Sequence, residues 1–300
     1  MKLLITGAFN CTEDQLEALA ALGNDIIFMQ NEKDDLPPCP EEIEGVICNG
    51  LFLYHDIKKF TALKFIQLTS AGYDRVPMDY IKEKGIKIYN AKGVYSVPMA
   101  EFALCGVLEL YKQSRFFAEN KKEHKWEKHR SLLELAGKTV AIIGTGNVGT
   151  ECAKRFNAFD TTVLAVDLIK PESDFFDEFY HIENIKTALS RADIVVLALP
   201  LTPETNGMLS EDMLSYFKEN SILVNISRGQ IIDEDALIAT LKKSNLMGAV
   251  LDVFCEEPLP ADSPLWDMEN VIITPHNSFV GEGNNARLFE VIKTNLKNKI

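Results

Sequence analysis

The amino-acid sequence predicts an α/β protein built from parallel, doubly wound β-sheets. Short apolar runs alternate with helical patterns along its 300 residues, as expected when helices connect parallel strands. One apolar run, Thr139–Ile143, leads directly into the glycine turn Gly144–Gly149, and another, Val163–Val166, ends in Asp167. The length of the chain suggests two domains.

The first third of the chain is predicted to form one α/β unit. Amphipathic helices are predicted over Glu13–Leu22, with Leu16 and Leu19 on one face, and over Met78–Lys84. The segment Asp34–Pro40 contains three prolines and is predicted to be a loop. The strands predicted here are Leu3–Thr6, Ile26–Met29, Val46–Cys48, Phe65–Leu68 and Lys87–Tyr89.

The centre of the chain is predicted to form a second unit of the same kind. A long helix is expected after Pro98, with Ala103 and Val107 among its apolar positions, and the α/β pattern restarts at Thr139. A last amphipathic helix is predicted over Asn285–Lys299. The strands predicted after the glycine turn lie near residues 163–166, 194–197, 222–225, 248–251 and 271–273.

Composition and charge disfavour several classes of protein. The net charge of -13 opposes binding to nucleic acid. The six cysteines form no C-x-x-C pair, which favours reduced thiols over a disulfide framework or a zinc site. No apolar run approaches the ~18 residues of a membrane span, and the apolar start is too short for a signal peptide. We therefore expect a cytoplasmic enzyme that binds neither metal nor membrane.

The segment Lys121–Arg130 has an unusual composition. It contains five basic residues, two acids, two histidines and Trp126. We interpret it as a solvated helix or arm. A dimer contact anchored by Trp126 is compatible with that interpretation.

The glycine turn carries the first chemical prediction. Gly144 would allow the tight strand-to-helix turn, Gly146 would let the backbone approach a pyrophosphate, and Gly149 would let the helix pack on the strand. The helix N-terminus offers free N–H groups and a positive dipole to the phosphates. Asp167, eighteen residues past Gly149, could accept hydrogen bonds from a ribose diol and would repel a 2′-phosphate, which favours NAD over NADP.

Three other side chains follow predicted strands of the same sheet. Arg228 has a planar guanidinium that suits a carboxylate, although a surface ion pair would explain it equally well. Glu257 precedes Pro258, which favours extended backbone, but acidic loops are usually inert. A lone histidine such as His276 is more often structural than catalytic. Since the carboxyl ends of parallel strands meet at one edge, all three are expected to gather beside a bound nicotinamide.

In order and spacing, these motifs resemble the D-isomer-specific 2-hydroxyacid dehydrogenase family, in the branch similar to phosphoglycerate dehydrogenase. The resemblance runs through nearly the whole chain. It is carried by Ser70–Asp74, Asn90–Glu101, the glycine turn, Leu199–Thr205, Ser227–Gly229, Asp252–Phe254, Glu257–Pro258 and Pro275–His276.

The resemblance implies a discontinuous domain organisation. Residues 1–94 plus 278–300 would form a flavodoxin-like substrate domain, and residues 95–277 would form an inserted Rossmann NAD-binding domain. Family members usually dimerise through the nucleotide domain, so we expect a homodimer in which residues 105–135 take part.

The resemblance also implies roles for individual residues. Arg228, Glu257 and His276 would be the catalytic set, while Ala71, Gly72 and Arg228 would bind the substrate. Asp252 would contact the nicotinamide carboxamide. The complete set implied to bind NAD is Gly144, Thr145, Gly146, Asn147, Val148, Gly149, Asp167, Leu199, Pro200, Thr205, Ile226, Ser227 and Asp252.

The implied reaction interconverts a D-2-hydroxyacid and its 2-oxoacid by hydride transfer. Arg228 would bind the carboxylate and carbonyl of the 2-oxoacid, and protonated His276 would donate a proton to the developing alkoxide. Glu257 would orient the imidazole and stabilise its charged form. In the reverse direction neutral His276 would act as the base.

The loop Asn49–Tyr54 bears on the substrate. Family members that act on phosphorylated acids carry arginines near this point, whereas this loop offers Leu51, Phe52 and Tyr54. A buried phosphate without partners is costly. We therefore expect a substrate with an uncharged or apolar side chain, whose identity the sequence leaves open.

Two other functions would use the same fold. An NAD(H)-sensing scaffold or corepressor-like protein would bind partners and catalyse little, but the intact catalytic set and the lack of an appended partner-binding tail disfavour it. A formate dehydrogenase relative is expected to carry Gln in place of the catalytic Glu, so Glu257 disfavours that reading.

Overall fold

The computed structural model describes residues 1–298. The chain forms two compact units: Met1–Tyr95 with the described residues from Gly281 onward, and Ser96–Val280. Each unit has its own sheet, and every strand pairing in both sheets is parallel. The predicted α/β class with two parallel sheets is confirmed.

The described elements follow the chain in a regular α/β alternation. The strands are β1 (Lys2–Thr6), β2 (Asp25–Met29), β3 (Gly45–Cys48), β4 (Phe65–Leu68), β5 (Lys87–Tyr89), β6 (Thr139–Ile143), β7 (Thr162–Asp167), β8 (Glu178–His181), β9 (Ile194–Leu197), β10 (Ser221–Asn225), β11 (Leu246–Leu251) and β12 (Val271–Ile273). The α-helices are α1 (Glu13–Ala20), α2 (Leu51–Tyr54), α3 (Met78–Glu83), α4 (Ser96–Tyr111), α5 (Ser114–Lys122), α6 (Asn147–Asn157), α7 (Ile185–Arg191), α8 (Glu211–Leu214), α9 (Glu234–Lys242) and α10 (Asn284–Lys297).

The first unit contains a five-stranded sheet in the order β2-β1-β3-β4-β5. Its inner strands β3 and β4 are buried throughout, because helices cover both faces of a parallel sheet. Leu288 and Ile292 of α10 pack on one face against Leu3 and Ile5. The helix predicted over Asn285–Lys299 is thus present as α10, and its predicted end at Lys299 lies outside the described residues.

The second unit contains a seven-stranded sheet in the order β12-β11-β10-β9-β6-β7-β8. β6 pairs with β7 on one side and with β9 on the other, so the winding of the chain reverses at β6. Ligands of doubly wound sheets bind beyond the carboxyl ends of the strands at such a reversal. The glycine turn follows β6 directly and therefore lies at this point.

Besides α2, which lies in a segment expected to be a loop, two elements differ from the sequence-based expectations. α4 begins at Ser96, before Pro98 rather than after it. Proline is tolerated there because the first-turn N–H groups of a helix have no intrahelical partner. The edge strand β8 was not predicted, because its residues Glu178–His181 are half-buried or exposed and lack an apolar run.

The basic segment Lys121–Arg130 is mostly an exposed arm. α5 ends at Lys122, and residues 125–130 have no regular secondary structure. The side chain of Trp126 is 96 % exposed. Among the described residues, the helices are all too short or too polar to span a membrane.

Candidate active site

The glycine turn after β6 has the backbone that its sequence predicts. Gly144 has a φ of +93°, and a Cβ at this position would lie 2.6 Å from the backbone nitrogen of Leu199. A Cβ on Gly149 would lie 1.9 Å from the carbonyl oxygen of Gly144, so the helix packs directly on the turn. A Cβ on Gly146 would meet no atom within 4 Å. The turn is therefore tightly packed at Gly144 and Gly149 and open at Gly146.

The N-terminus of α6 is open to an anion. Gly146 is its N-cap residue, no side chain caps it, and its first turn, Asn147–Gly149, contains no acid. The N–H groups of a first turn need partners from outside the helix, and the helix dipole adds positive potential there. This helix end can receive a phosphate group.

Asp167 lies at the end of β7, next to the glycine turn. Its Oδ2 accepts hydrogen bonds from the backbone nitrogen of Thr145 at 2.6 Å and from the Thr145 hydroxyl at 2.8 Å. Its Oδ1 accepts from the backbone nitrogen of Leu168 at 2.7 Å. The carboxylate is thus fixed against the turn by uncharged donors.

The loop after β9 is held by a threonine hydroxyl. Thr205 Oγ1 donates to the carbonyl oxygen of Pro200 at 2.8 Å and accepts from the backbone nitrogen of Thr202 at 2.8 Å. Leu199, at the start of the loop, is buried and contacts Gly144. Leu199, Pro200 and Thr205 therefore form one ordered wall next to the glycine turn.

The end of β10 is organised by Asn225, a residue that the sequence motifs do not single out. Its fully buried side chain accepts from the backbone nitrogen of Ser227 at 3.1 Å and from the Ser227 hydroxyl at 2.9 Å. It also donates to the carbonyl oxygen of Arg228 at 3.0 Å. Ile226 and Ser227 are consequently buried, while Arg228 is half-buried. The only sequence signal was a polar residue ending an otherwise apolar strand.

Arg228 has most of its hydrogen-bonding capacity available. One Nη donates to the carbonyl oxygen of Ser227 at 2.6 Å. Within residues 1–298, the guanidinium has no carboxylate partner. The described structure therefore does not show Arg228 in the surface ion pair that was the alternative interpretation.

Gly229 brings the Arg228 loop against the loop that carries Glu257. A Cβ on Gly229 would lie 1.9 Å from the carbonyl carbon of Phe254, so only glycine fits.

Cys255 follows in the same loop; burial, with a smaller effect from nearby Glu234, raises the pKa of its thiol. That thiol stays protonated at neutral pH and is a poor nucleophile.

Glu257 and His276 form a direct pair. Glu257 Oε2 lies 2.8 Å from His276 Nδ1, and Glu257 Oε1 accepts from the backbone nitrogen of Phe254 at 3.1 Å. Both side chains are partly exposed, at 37 % and 40 %. Nε2 of His276 has no hydrogen-bond partner within the described chain. The imidazole is therefore oriented through one nitrogen and available through the other.

Asp252 holds the loop that carries His276. Its carboxylate is fully buried and accepts from the Thr274 hydroxyl at 2.7 Å and from the backbone nitrogens of Asn277 and Ser278 at 2.7 and 3.0 Å. Its carbonyl oxygen accepts from the backbone nitrogen of His276 at 2.8 Å. These bonds stabilise His276 in left-handed backbone, with a φ of 49°, which is uncommon outside glycine.

Ala71 and Gly72 belong to the first unit, in the loop after β4. The carbonyl oxygen of Ala71 accepts from the Asn90 side chain at 2.6 Å, and that of Gly72 accepts from the Ser70 hydroxyl at 3.1 Å. The backbone N–H groups of both residues have no acceptor among residues 1–298. The loop is thus braced through its carbonyls, while its donors remain open.

The segment Asn49–Tyr54 differs from the sequence-based expectation of a loop, since its residues Leu51–Tyr54 form the short helix α2. Leu51 is fully buried in the core and lines no surface. An arginine is also near: Arg75 Cδ lies 3.9 Å from the position of a Cβ on Gly50. Arg75 approaches this segment although the segment itself contains no arginine, because β3 and β4 are neighbours and the loops that follow them meet.

The backbone amides of Asn49 and Gly50 donate hydrogen bonds to the carboxylate of Glu32. Glu32 Oε1 accepts from the backbone nitrogen of Asn49 at 2.6 Å and from the Thr6 hydroxyl at 2.8 Å. Glu32 Oε2 accepts from the backbone nitrogen of Gly50 at 2.6 Å. The sequence motifs did not reveal this carboxylate, because Glu32 and its partners lie in three separate segments.

Comparison with known proteins decides the family. The family described as D-isomer specific 2-hydroxyacid dehydrogenase, NAD binding domain, matches residues 104–278. The chain belongs to this family. As a D-isomer specific 2-hydroxyacid dehydrogenase it is an oxidoreductase that uses NAD, and the family resemblance seen in the sequence is confirmed.

Relatives of this dehydrogenase differ in substrate and in dinucleotide. It is 32 % identical over 280 residues to a glyoxylate reductase of Korarchaeum cryptofilum, a match that covers 88 % of this chain and 84 % of the relative. It is 26 % identical to a D-lactate dehydrogenase of Aquifex aeolicus, solved with NAD and lactic acid, with a TM-score of 0.77 and coverage of 99 % and 94 %. A D-isomer specific 2-hydroxyacid dehydrogenase of Xanthobacter autotrophicus, solved with NADPH and MES, gives 26 % identity, a TM-score of 0.80 and the same coverage. The family thus leaves the substrate and the choice between NAD and NADP to local residues.

Proposed function

We propose that this dehydrogenase reduces a 2-oxoacid to a D-2-hydroxyacid, and catalyses the reverse reaction, with His276 and Glu257 as its acid–base pair and Arg228 as its carboxylate clamp. The observation that carries the proposal is the 2.8 Å bond between Glu257 Oε2 and His276 Nδ1, which leaves Nε2 available. Both residues lie in the same unit as the glycine turn.

The residues around the glycine turn fit NAD. Gly146 leaves room where any other residue would place a Cβ, and the uncapped N-terminus of α6 is suited to the pyrophosphate. The implied set of Gly144–Gly149, Asp167, Leu199, Pro200, Thr205, Ile226, Ser227 and Asp252 is proposed to hold it. When bound as NADH, the cofactor supplies a hydride to the carbonyl carbon of the substrate.

His276 is proposed to move the proton. In reduction, its Nε2–H donates to the carbonyl oxygen as negative charge develops there, and in oxidation the neutral imidazole accepts the hydroxyl proton. Glu257, bonded to Nδ1, keeps the ring oriented and stabilises the imidazolium. A positioned acid–base group of this kind contributes about 10²–10⁴-fold to the rate.

Arg228 is proposed to bind the carboxylate and carbonyl oxygens of the substrate. Its free guanidinium donors support this role, because a planar guanidinium can donate two parallel hydrogen bonds to a carboxylate. By family resemblance, the backbone N–H groups of Ala71 and Gly72 are further donors to the carboxylate. Correspondingly, we propose residues 1–94 plus 278–300 as the substrate domain and residues 95–277 as the NAD-binding domain.

The substrate is proposed to carry an uncharged side chain. The backbone donors of Asn49 and Gly50 are already bonded to Glu32, so an anionic side chain reaching this loop would meet a carboxylate instead of free N–H groups. Activity on 3-phosphohydroxypyruvate that exceeds activity on pyruvate-like and branched 2-oxoacids would contradict this assignment.

A cytoplasmic homodimer is proposed as the functional form. All six cysteines are free thiols, which suits a reducing compartment. The exposed arm Lys121–Arg130 carries five basic residues against two acids, on a chain whose net charge is -13. A positive arm with an exposed Trp126 complements the acidic surface of a second copy, and the molar mass in solution tests this.

Substitution of His276 tests the catalytic assignment. His276→Ala should lower kcat by about 10²–10⁴-fold while NADH still binds. His181→Ala is the matched control, since His181 pairs with Glu183 at 3.4 Å and is similarly exposed. Near-normal turnover in His276→Ala would exclude the proposed acid–base role.

A panel of 2-oxoacids separates the enzyme from the alternative of an NAD(H)-sensing scaffold. NADH oxidation is followed by absorbance with glyoxylate, pyruvate, hydroxypyruvate and branched 2-oxoacids. Turnover with at least one of them is expected. Arg228→Ala should then raise KM for that 2-oxoacid far more than it changes NADH binding.

A further inference from the structure

We propose that Thr145 is a specificity-determining residue that fixes the Asp167 carboxylate in the orientation that excludes NADP. The inference extends the proposed function, since it rests on binding of NAD at the glycine turn. It starts from one observation: Thr145 donates twice, through its backbone nitrogen and its hydroxyl, to the same oxygen of Asp167.

The two donations saturate one side of the carboxylate. Each carboxylate oxygen has two lone pairs, and both positions on Oδ2 are taken by Thr145, at 2.6 and 2.8 Å. Oδ1 accepts from the backbone nitrogen of Leu168 at 2.7 Å. One acceptor position therefore remains, on Oδ1, and it can accept a hydrogen bond from a ribose hydroxyl.

The charge of Asp167 is not neutralised locally. Among residues 1–298, no lysine, arginine or histidine pairs with it, and all three of its donors are uncharged. A 2′-phosphate offers further negative charge and only acceptor oxygens. The phosphate would face the negative charge of the Asp167 carboxylate, which has no hydrogen-bond donor.

The hydroxyl of Thr145 is what prevents relief of this repulsion. The χ2 torsion of aspartate is broad, so a carboxylate held only by the backbone nitrogens of Thr145 and Leu168 rotates away from an incoming phosphate more readily. Two bonds from one residue to one oxygen oppose that rotation. The carbonyl of Thr145 is itself bonded to the Thr150 hydroxyl of α6 at 3.2 Å, which ties the turn to the helix.

Dinucleotide binding to the purified protein tests the proposal. The dissociation constants of NADH and NADPH are measured by fluorescence titration, with no substrate present, for the unmodified chain and for Thr145→Val, Thr145→Ala and Thr145→Ser. The ratio of the NADPH constant to the NADH constant should fall about tenfold in Thr145→Val and Thr145→Ala, because a hydrogen bond to a charged group is lost. Thr145→Ser keeps the hydroxyl and should restore the ratio.

Two controls separate positioning from a merely structural effect. Thr240→Val is matched, since its hydroxyl donates at 2.8 Å to the neutral carbonyl of Ala236; the ratio should not move. In a double-mutant cycle, Thr145→Val placed on Asp167→Asn should change the ratio by less than about twofold, because the hydroxyl then has no charge to fix. Thermal denaturation verifies that each variant is folded.

The results separate the role of Thr145 from the proposed binding of NAD. An unchanged ratio in both Thr145→Val and Thr145→Ala overturns the role of Thr145, as does an equal change on the Asp167→Asn background. Failure of the unmodified chain to bind NADH would overturn the proposed function as well. Binding of NADH with a ratio that responds only to Asp167 would overturn this inference alone.

Discussion

The two parallel sheets end differently at their carboxyl edges. In the seven-stranded sheet, the strand ends leave binding groups available: the N-terminus of α6, the guanidinium of Arg228 and Nε2 of His276. In the five-stranded sheet, Glu32 occupies the amides of Asn49 and Gly50 after β3. The same architecture therefore gives an open edge in one unit and a partly closed edge in the other.

The difference lies in buried side chains rather than in the strands. Asn225 and Asp252 in the second unit bond backbone groups so that a neighbouring functional side chain is left free. Glu32 in the first unit instead bonds the donors that a ligand would use. A parallel sheet provides the place for a site, but internal polar groups decide which strand ends remain available.

In this comparison, the largest expected effect comes from releasing the loop that positions His276 at the open edge. Asp252→Asn replaces one acceptor oxygen by an amide that cannot accept from Ser278 or Asn277. His276 then loses its fixed position, and kcat should fall about 10²-fold, as small misplacements of catalytic groups do. Steady-state kinetics measures this against Asp262→Asn, an exposed aspartate. Unchanged kcat in Asp252→Asn would mean that the buried carboxylate does not position His276.

The second-largest expected effect concerns Arg228, the proposed carboxylate clamp. Asn225→Ala removes the acceptor for Ser227 and the donor for Arg228. KM for the preferred 2-oxoacid should rise about tenfold, and the free energy of unfolding should fall by about 1–3 kcal/mol because a buried N–H loses its partner. The control Asn157→Ala, at the end of α6, should change neither. A fall in stability with unchanged KM would show that Asn225 does not act through Arg228.

Glu32→Gln should partly reopen the closed edge. Glutamine offers one acceptor oxygen, so either Asn49 or Gly50 loses its bond, and unfolding should become easier by about 1–3 kcal/mol. The ratio of kcat/KM for 3-phosphohydroxypyruvate to that for pyruvate should rise severalfold, as the repulsive charge is removed. Glu42→Gln, in an exposed ion pair with Lys2, should leave both quantities nearly unchanged. If this ratio of kcat/KM values stays constant in Glu32→Gln, Glu32 does not influence the choice of substrate.

The smallest expected effect lies on the amino side of the seven-stranded sheet. Burial by itself raises the pKa of Asp193, but the Lys218 ammonium and the Thr139 amide hold it below its usual value. Because the folded-state pKa is the lower one, this stabilisation is present above the unfolded value of about 3.9 and is lost as the pH falls through the folded value.

Asp193→Asn should therefore flatten the acid limb of the stability curve. Urea unfolding at pH 7 and at successively lower pH values measures it, and the difference between the two proteins should shrink as the pH falls below about 4. A difference that persists unchanged into acid would assign the effect to packing instead of charge.

Several parts of the molecule could be predicted from short sequence patterns. The strands around the glycine turn, the tight turn at Gly144 and the positions of Arg228, Glu257 and His276 after strands depend on neighbours close in the chain or on the general rule for parallel strands. β8 escaped prediction because edge strands need no apolar run, and α4 began early because a first-turn proline disrupts no intrahelical bond.

The sequence by itself determined the fold class, the family and the residue types available for dinucleotide and 2-oxoacid chemistry. Only the tertiary structure decided which of these groups are occupied: Thr145 with Asp167, Asn225 with Arg228, and Glu32 with the loop that Arg75 approaches. The physical reason is that a hydrogen bond is specified by position in space within about 3 Å. Such bonds join residues whose separation along the chain follows no period that a sequence pattern can reveal.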